Sequence, residues 1–144
     1  MSIIATIKEK ARADKKYILL PEGTEERTVQ AARLITDDGI AKVALLGNDE
    51  EIKSVADKFN VSLDGVTIIE PEKTAEFTPF VEQFYEMRKA KGVTVEQAEK
   101  MMHDTLFYAA MMIKNNMADG MVAGAINTTG NTLRPGLQII KMAK

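Results

Sequence analysis

Short apolar runs closed by proline, glycine or asparagine alternate, over the first half of the chain, with longer stretches whose apolar positions recur every three or four residues. Residues 1–10 mix apolar and charged side chains at helical spacing. Lys16–Leu20, closed by Pro21 and Gly23, then reads as a buried strand, and residues 42–47 and 66–70 read as a second and a third. Between the first two, Thr24 predicts an N-cap with Glu25 and Glu26 in the first helical turn, ahead of Val29, Ala32, Leu34 and Ile35; Gly39 ends that helix. Asn48 likewise predicts a cap for a helix through Phe59 that carries Ile52, Val55 and Ala56. Residues 77–116 show no strand pattern and read as two helices parted by Lys91-Gly92-Val93-Thr94, with Thr94 and Gln97 spaced as a capping box. Residues 121–125 supply a fourth strand. A turn rich in glycine and hydroxyls follows, then a helix around Leu137, Ile139 and Ile140.

Strands alternating with helices imply a mainly parallel sheet covered on both faces, a doubly wound α/β domain. No internal repeat or low-complexity tract interrupts this pattern. At 144 residues and 45% hydrophobic the chain is sized for one domain with an ordinary core. A net charge of −2, from 19 basic and 21 acidic residues without a basic block, argues against nucleic acid as a partner. The absence of cysteine removes disulfides, zinc thiolates and a thiol nucleophile, and fits a reducing compartment. No stretch has a signal-peptide core or the ~18 consecutive apolar residues of a membrane span, so a soluble, cytoplasmic protein without a membrane partner is expected.

The candidate chemistry lies in residues 118–135. Ala118-Asp119-Gly120-Met121-Val122-Ala123-Gly124-Ala125 leads into Asn127-Thr128-Thr129-Gly130-Asn131-Thr132-Leu133-Arg134-Pro135. The loop belongs at the C-terminal end of a strand, where open α/β sheets bind ligands. Small residues allow close approach of backbone to ligand, Thr128 and Thr129 offer hydroxyl and amide donors, and Arg134 adds a permanent cation suited to bidentate phosphate binding. These parts suit a phosphate-bearing substrate, with Arg134 as the leading residue. Thr128 and Thr129 read equally as phosphate donors or as turn and cap residues, and Asn127 as an amide donor or a loop former.

This segment closely resembles the phosphate acetyltransferase (phosphotransacetylase) family, through Gly120, Val122, Ala123, Gly124, Ala125, Thr128, Thr129, Leu133, Arg134, Pro135, Leu137, Gln138, Ile139, Ile140 and Lys141. The resemblance continues upstream through Leu20-Pro21-Glu22-Gly23-Thr24-Glu25-Glu26-Arg27 and Arg88-Lys89-Ala90-Lys91-Gly92-Val93-Thr94, so it covers the whole chain. It implies transfer of an acetyl group between acetyl phosphate and coenzyme A, yielding acetyl-CoA and inorganic phosphate, with coenzyme A as a substrate and no metal. It also implies a fold akin to the isocitrate and isopropylmalate dehydrogenases, two domains around a cleft. Family members are considerably longer, and the match is to their N-terminal portion. The resemblance therefore makes residues 1–144 an incomplete N-terminal domain. A serine, an arginine and an aspartate that complete the family's site have no counterpart here, the aspartate being its proposed base. Exposed sheet edge or apolar surface, which promotes homo-oligomers, is the expected consequence. Little or no activity is expected of this length alone. A phosphate butyryltransferase-like enzyme and a non-catalytic association module are the alternatives.

The resemblance adds Arg88 as a substrate or coenzyme contact, with Lys91 as a lesser candidate. Without it, that basic cluster needs only the dipole of a helix C-terminus. It also makes Glu22 and Arg27 candidates, although an internal ion pair fixing the first strand-to-helix turn is the favoured reading. His103, alone in an apolar helical stretch, reads as structural, and the methionines read as core.

Overall fold

Successive residues of the central strands belong to different cores. The structure, a computed structural model, describes residues 2–141. Strand β1 (Lys16–Leu20) lies between β2 (Ala41–Leu46) and β4 (Gly120–Met121), with β3 (Thr67–Ile69) outside β2; all three pairs are parallel, in the order β3-β2-β1-β4. Leu19, Ala44 and Leu46 pack with Phe80, Phe84, Tyr108 and Met111 on one face. Leu20, Val43 and Leu45 pack with Val29, Ala32 and Ile52 on the other. Side chains alternate across a strand and both faces are covered, which is why these strands are apolar throughout. Each fully buried Leu, Ile, Val or Phe contributes roughly 1.5–3 kcal/mol to holding the layers together.

Helices α2 (Glu26–Asp38) and α3 (Asp49–Lys58) cover one face, and α4 (Phe77–Arg88), α5 (Val95–Met102) and α6 (Thr105–Lys114) the other, as a doubly wound α/β fold requires. Local signals start and stop several of them as expected. Asn48 Oδ1 accepts from Glu51 N–H, Gly39 closes α2 with φ +65°, and Thr94 and Gln97 form a reciprocal capping box. Met102, Met111 and Met112 are buried in the core.

Several local expectations are corrected. The cap of α2 is Glu25, not Thr24: its carboxylate reaches both Thr28 N–H at 2.9 Å and Thr28 Oγ1 at 3.0 Å. Residues 77–116 hold three helices rather than two, because Asp104 Oδ1 accepts from Leu106 N–H and Phe107 N–H and so begins α6. His103 consequently lies at the exposed break between α5 and α6, its Nδ1 3.5 Å from Glu72 and its ring 4.9 Å from that of Phe77. The fourth strand stops at Met121, and the last helix begins early: α7 (Thr129–Pro135) already contains Arg134, with a π turn over Gly136–Ile140. Leu34, assigned to the core face of α2, is exposed.

Helix α1 (Ile3–Ala13) buries no residue. Lys8 Nζ bonds the Asp38 carboxylate at 2.8 Å and Arg12 Nε the Asp38 carbonyl at 2.8 Å, tying α1 to the end of α2, while Ile3, Ile4 and Ile7 stay exposed. Val122, Ile126, Leu133, Leu137 and Ile140 are exposed too, and β4 forms one edge of the sheet.

Candidate functional site at the C-terminal ends of β1 and β4

The chain winds one way from β1 through β2 to β3, then returns through α4, α5 and α6 to place β4 on the other side of β1. The strand order therefore reverses between β1 and β4, and the crevice outside their C-terminal ends is where such sheets bind ligands. Two segments meet there: Pro21-Glu22-Gly23 after β1 and residues 122–128 after β4. Gly23 passes so near β2 that a Cβ on it would lie 2.5 Å from the Leu46 carbonyl oxygen. Its N–H donates to that same oxygen at 3.0 Å, which anchors the turn carrying Glu22.

Glu22 is the centre of the arrangement. Its side chain is 5% exposed. Oε1 accepts from Gly124 N–H at 2.6 Å and Ala125 N–H at 2.8 Å, and Oε2 from Ile126 N–H at 2.7 Å, Asn127 N–H at 2.9 Å and Asn127 Nδ2 at 3.0 Å. Burial pushes this carboxyl up, but the amide bonds from Ile126, Ala125 and Asn127 outweigh it and bring it down to about 2. Successive backbone N–H groups turned to one point form an anion-binding concavity, and here the anion is a side chain. Gly124 allows the turn, with φ +120°.

The expected ion pair between Glu22 and Arg27 is not formed. Arg27 Nε meets Glu25 Oε1 at 2.8 Å, and its Nη2 donates to the Ala125 carbonyl at 3.0 Å. The peptide of Ala125 is thus held on one side by Glu22 and on the other by Arg27. Glu25, which the sequence offered only as a first-turn acid, is desolvated but held at about 2 by Arg27 and by Thr28.

Beyond the loop, Thr128 caps α7: its Oγ1 accepts from Asn131 N–H at 3.1 Å, and its own hydroxyl hydrogen has no acceptor among the described residues. Thr129 is exposed and its hydroxyl has no partner among the described residues. Arg134 is exposed in the last turn of α7, where Nη1 donates to Asn131 Oδ1 at 3.3 Å and the other donors are unpaired among the described residues. Thr128, Asn131 and Arg134 form one string along α7. The expectation that loop amides, threonines and Arg134 converge on one phosphate needs correcting in part: the amides face Glu22, and Arg134 lines none of the three principal cavities.

Arg88 and Lys91 lie elsewhere. Thr74 bonds Tyr108 near the start of α6, whereas Gln83 Oε1 accepts from Asn115 Nδ2 at its end, at 2.9 Å, so α4 runs alongside α6 toward the N-terminal side of the sheet. Arg88, one and a half turns past Gln83, is carried away from the loop; its Nε is buried without a hydrogen-bond partner. Lys91 is exposed in the turn that follows. Among the described residues no group of three or more His, Asp or Glu side chains is arranged to hold a metal. None of the described helices is long and apolar enough to cross a membrane.

A parallel α/β sheet whose reversal point carries a Gly-Ala loop followed by Thr-Thr and Leu-Arg-Pro defines a domain of the doubly wound class. The family model for phosphate acetyl/butaryl transferase matches residues 2–144, and the chain belongs to that family. It is 48% identical over 143 residues to the phosphate acetyltransferase of Acetivibrio thermocellus, covering 99% of this chain and 42% of that protein. It is 45% identical to that of Clostridium acetobutylicum, covering 99% of this chain and 43% of that protein. A phosphotransacetylase from Streptococcus pyogenes superposes with a TM-score of 0.87 at 39% identity, covering 96% of this chain and 43% of that one. The EutD phosphotransacetylase from Staphylococcus aureus superposes with a TM-score of 0.87 at 33% identity, covering 97% of this chain and 42% of that one. The chain thus spans less than half the length of these relatives.

Proposed function

We propose that residues 2–141 carry the phosphate-holding part of a cytoplasmic phosphate acetyltransferase that uses acetyl phosphate and coenzyme A. In this reaction the thiolate sulfur attacks the acetyl carbonyl carbon, a C–S bond forms, the C–O bond to phosphate breaks, and phosphate leaves with the bonding electrons. The reaction needs a proton acceptor for the thiol, donors for the leaving phosphate, and alignment of both substrates.

The observation that carries the reading is the string along α7: a guanidinium on Arg134 whose only hydrogen bond among the described residues goes to Asn131, a Thr128 hydroxyl hydrogen with no acceptor among them, and Thr129 beside it. A guanidinium with open donors is suited to the two phosphate oxygens on which charge builds as the C–O bond breaks. Asn127 supports this string from within the loop. Its amide and side chain serve Glu22, so its part is to shape the loop rather than to touch substrate. Arg88 and Lys91, lying away from the loop, are assigned to a remote end of coenzyme A rather than to the reacting phosphate.

The carboxylates nearest the loop make poor bases. Glu22 and Glu25 are held at about 2. In this reading the thiol's proton acceptor is supplied by the part of the relatives that this chain does not span, and residues 2–141 alone bind phosphate weakly with little or no turnover. Phosphate titration followed by amide NMR tests this reading. Shifts centred on residues 128–134 are expected, weakened at least tenfold by Arg134→Ala with no change in the unfolding midpoint; equal binding by the variant overturns it. Acetyl phosphate set against butyryl phosphate, on a polypeptide of the relatives' full length, separates acetyl from butyryl transfer.

A second reading, association, is favoured by exposed apolar surface. Ile3, Ile4 and Ile7 on α1 are exposed, a cavity of about 460 Å³ is lined by Ala11, Ile18, Leu20, Val43 and Val122, and Val122 and Ile126 after β4 are exposed as well. Light scattering after size-exclusion chromatography is expected to find self-association that strengthens with concentration, reduced by Ile4→Lys with Ile7→Lys. A monomer at all concentrations removes this reading.

A further inference from the structure

Loops of small residues at the ends of parallel strands are open anion sites when their amides point into solvent. In this protein the amides of residues 124–127 point inward, and all four are taken by one carboxylate. That carboxylate comes from the neighbouring strand, more than one hundred residues earlier in the chain, and is supplied by a turn that Gly23 presses against Leu46. Asn127 Nδ2 adds a fifth donor, and Arg27 fixes the far side of the Ala125 peptide.

We infer that Glu22 is the positioning residue of the site: it occupies, as an internal anion, the concavity built by residues 124–127, sets the entry into α7, and shuts substrate phosphate out of those amides. The inference rests on the proposed phosphate chemistry only for its last consequence, that the substrate is held by the Thr128 and Arg134 side chains instead. The anionic place itself stands on geometry. Five N–H donors within 3.0 Å converge on two oxygens, and nothing but an anion satisfies them. Glu22 touches no reacting atom; it acts through the loop. A neutral carboxamide of the same shape presents N–H toward two of the amides it should accept from, so Glu22→Gln separates shape from charge. Aspartate keeps the charge but sits one methylene short.

The test uses the chain as it stands, in three variants, with amide exchange and formate as readouts. In Glu22→Gln the amides of residues 124–127 are expected to exchange at least tenfold faster than in the native chain, while Leu19 and Ala44 in the sheet keep their protection. In Glu22→Ala, formate is expected to raise the thermal midpoint and to shift those same four amides, with no such response in the native chain; Glu22→Asp is expected to recover part of the protection without formate. If Glu22→Ala does not fold even with formate, the exchange of Glu22→Gln decides. Unchanged protection at residues 124–127 in Glu22→Gln overturns the inference, and so does a folded Glu22→Ala that ignores formate. Phosphate acting on the four amides of the native chain overturns the exclusion of substrate. The Arg134→Ala titration reports separately on the phosphate reading, since Arg134 makes no contact with Glu22.

Discussion

Gly23→Ala is expected to destabilise the chain by about 3 kcal/mol or more and to release the residue 124–127 loop even where the sheet survives. An added Cβ would stand 2.5 Å from the Leu46 carbonyl oxygen and 2.8 Å from its nitrogen, atoms of a central strand's backbone that cannot swing aside as a side chain would. Relief requires the turn to lift off β2, which breaks the Gly23 N–H bond to Leu46 and withdraws Glu22 from its amides. Urea unfolding followed by circular dichroism measures the loss. Alanine at Gly130, where a Cβ meets nothing within 4 Å, is the control. A loss at Gly23 no larger than at Gly130 would show that the close approach is not required.

The second large effect is acid sensitivity. Glu22 titrates at about 2 in the folded chain against 4.5 unperturbed, a depressed value, so the stability it contributes is present above about pH 4.5 and is lost as pH falls toward 2. A shift of that size corresponds to about 3 kcal/mol for a carboxylate this well buried. Glu25 shifts in the same direction and adds to the loss in the same window. Urea midpoints collected between pH 7 and pH 2.5 are expected to fall steeply below pH 4.5. The gap between native chain and Glu22→Gln is expected to narrow as pH drops. A constant gap over this range would mean that the charge on Glu22 contributes nothing.

Much of the architecture is legible because the signals are local. Apolar runs ending in Pro21 and Gly47 become the two central parallel strands, and the run before Pro71 the partly buried edge strand β3, while Asn48, Gly39 and Thr94 act on amides or carbonyls within one turn of themselves. The errors are local too. Glu25 displaces Thr24 as cap because its longer side chain reaches Thr28 while also meeting Arg27, and the break at Asp104 is hidden by apolar periodicity on either side of it. The end of β4 was not legible: Val122 and Ala123 are as strand-like as the residues before them, Val122 N–H still bonds the Leu19 carbonyl, and from Gly124 on the amides turn to Glu22 instead.

The candidate site divides along the same line. The Thr128–Arg134 motif and its placement after a strand are legible in the sequence, and the resemblance carried by that motif points to the family. Which donors stay free for a ligand does not follow, because it depends on a pair of segments about one hundred residues apart in sequence whose meeting is set by the order β2-β1-β4. The sequence by itself determined the layered α/β form, since burial period and capping chemistry act between near neighbours. Only the tertiary structure decided that Glu22 fills the loop and that Arg134 keeps donors unpaired among the described residues, since a carboxylate's partners are chosen by proximity in space.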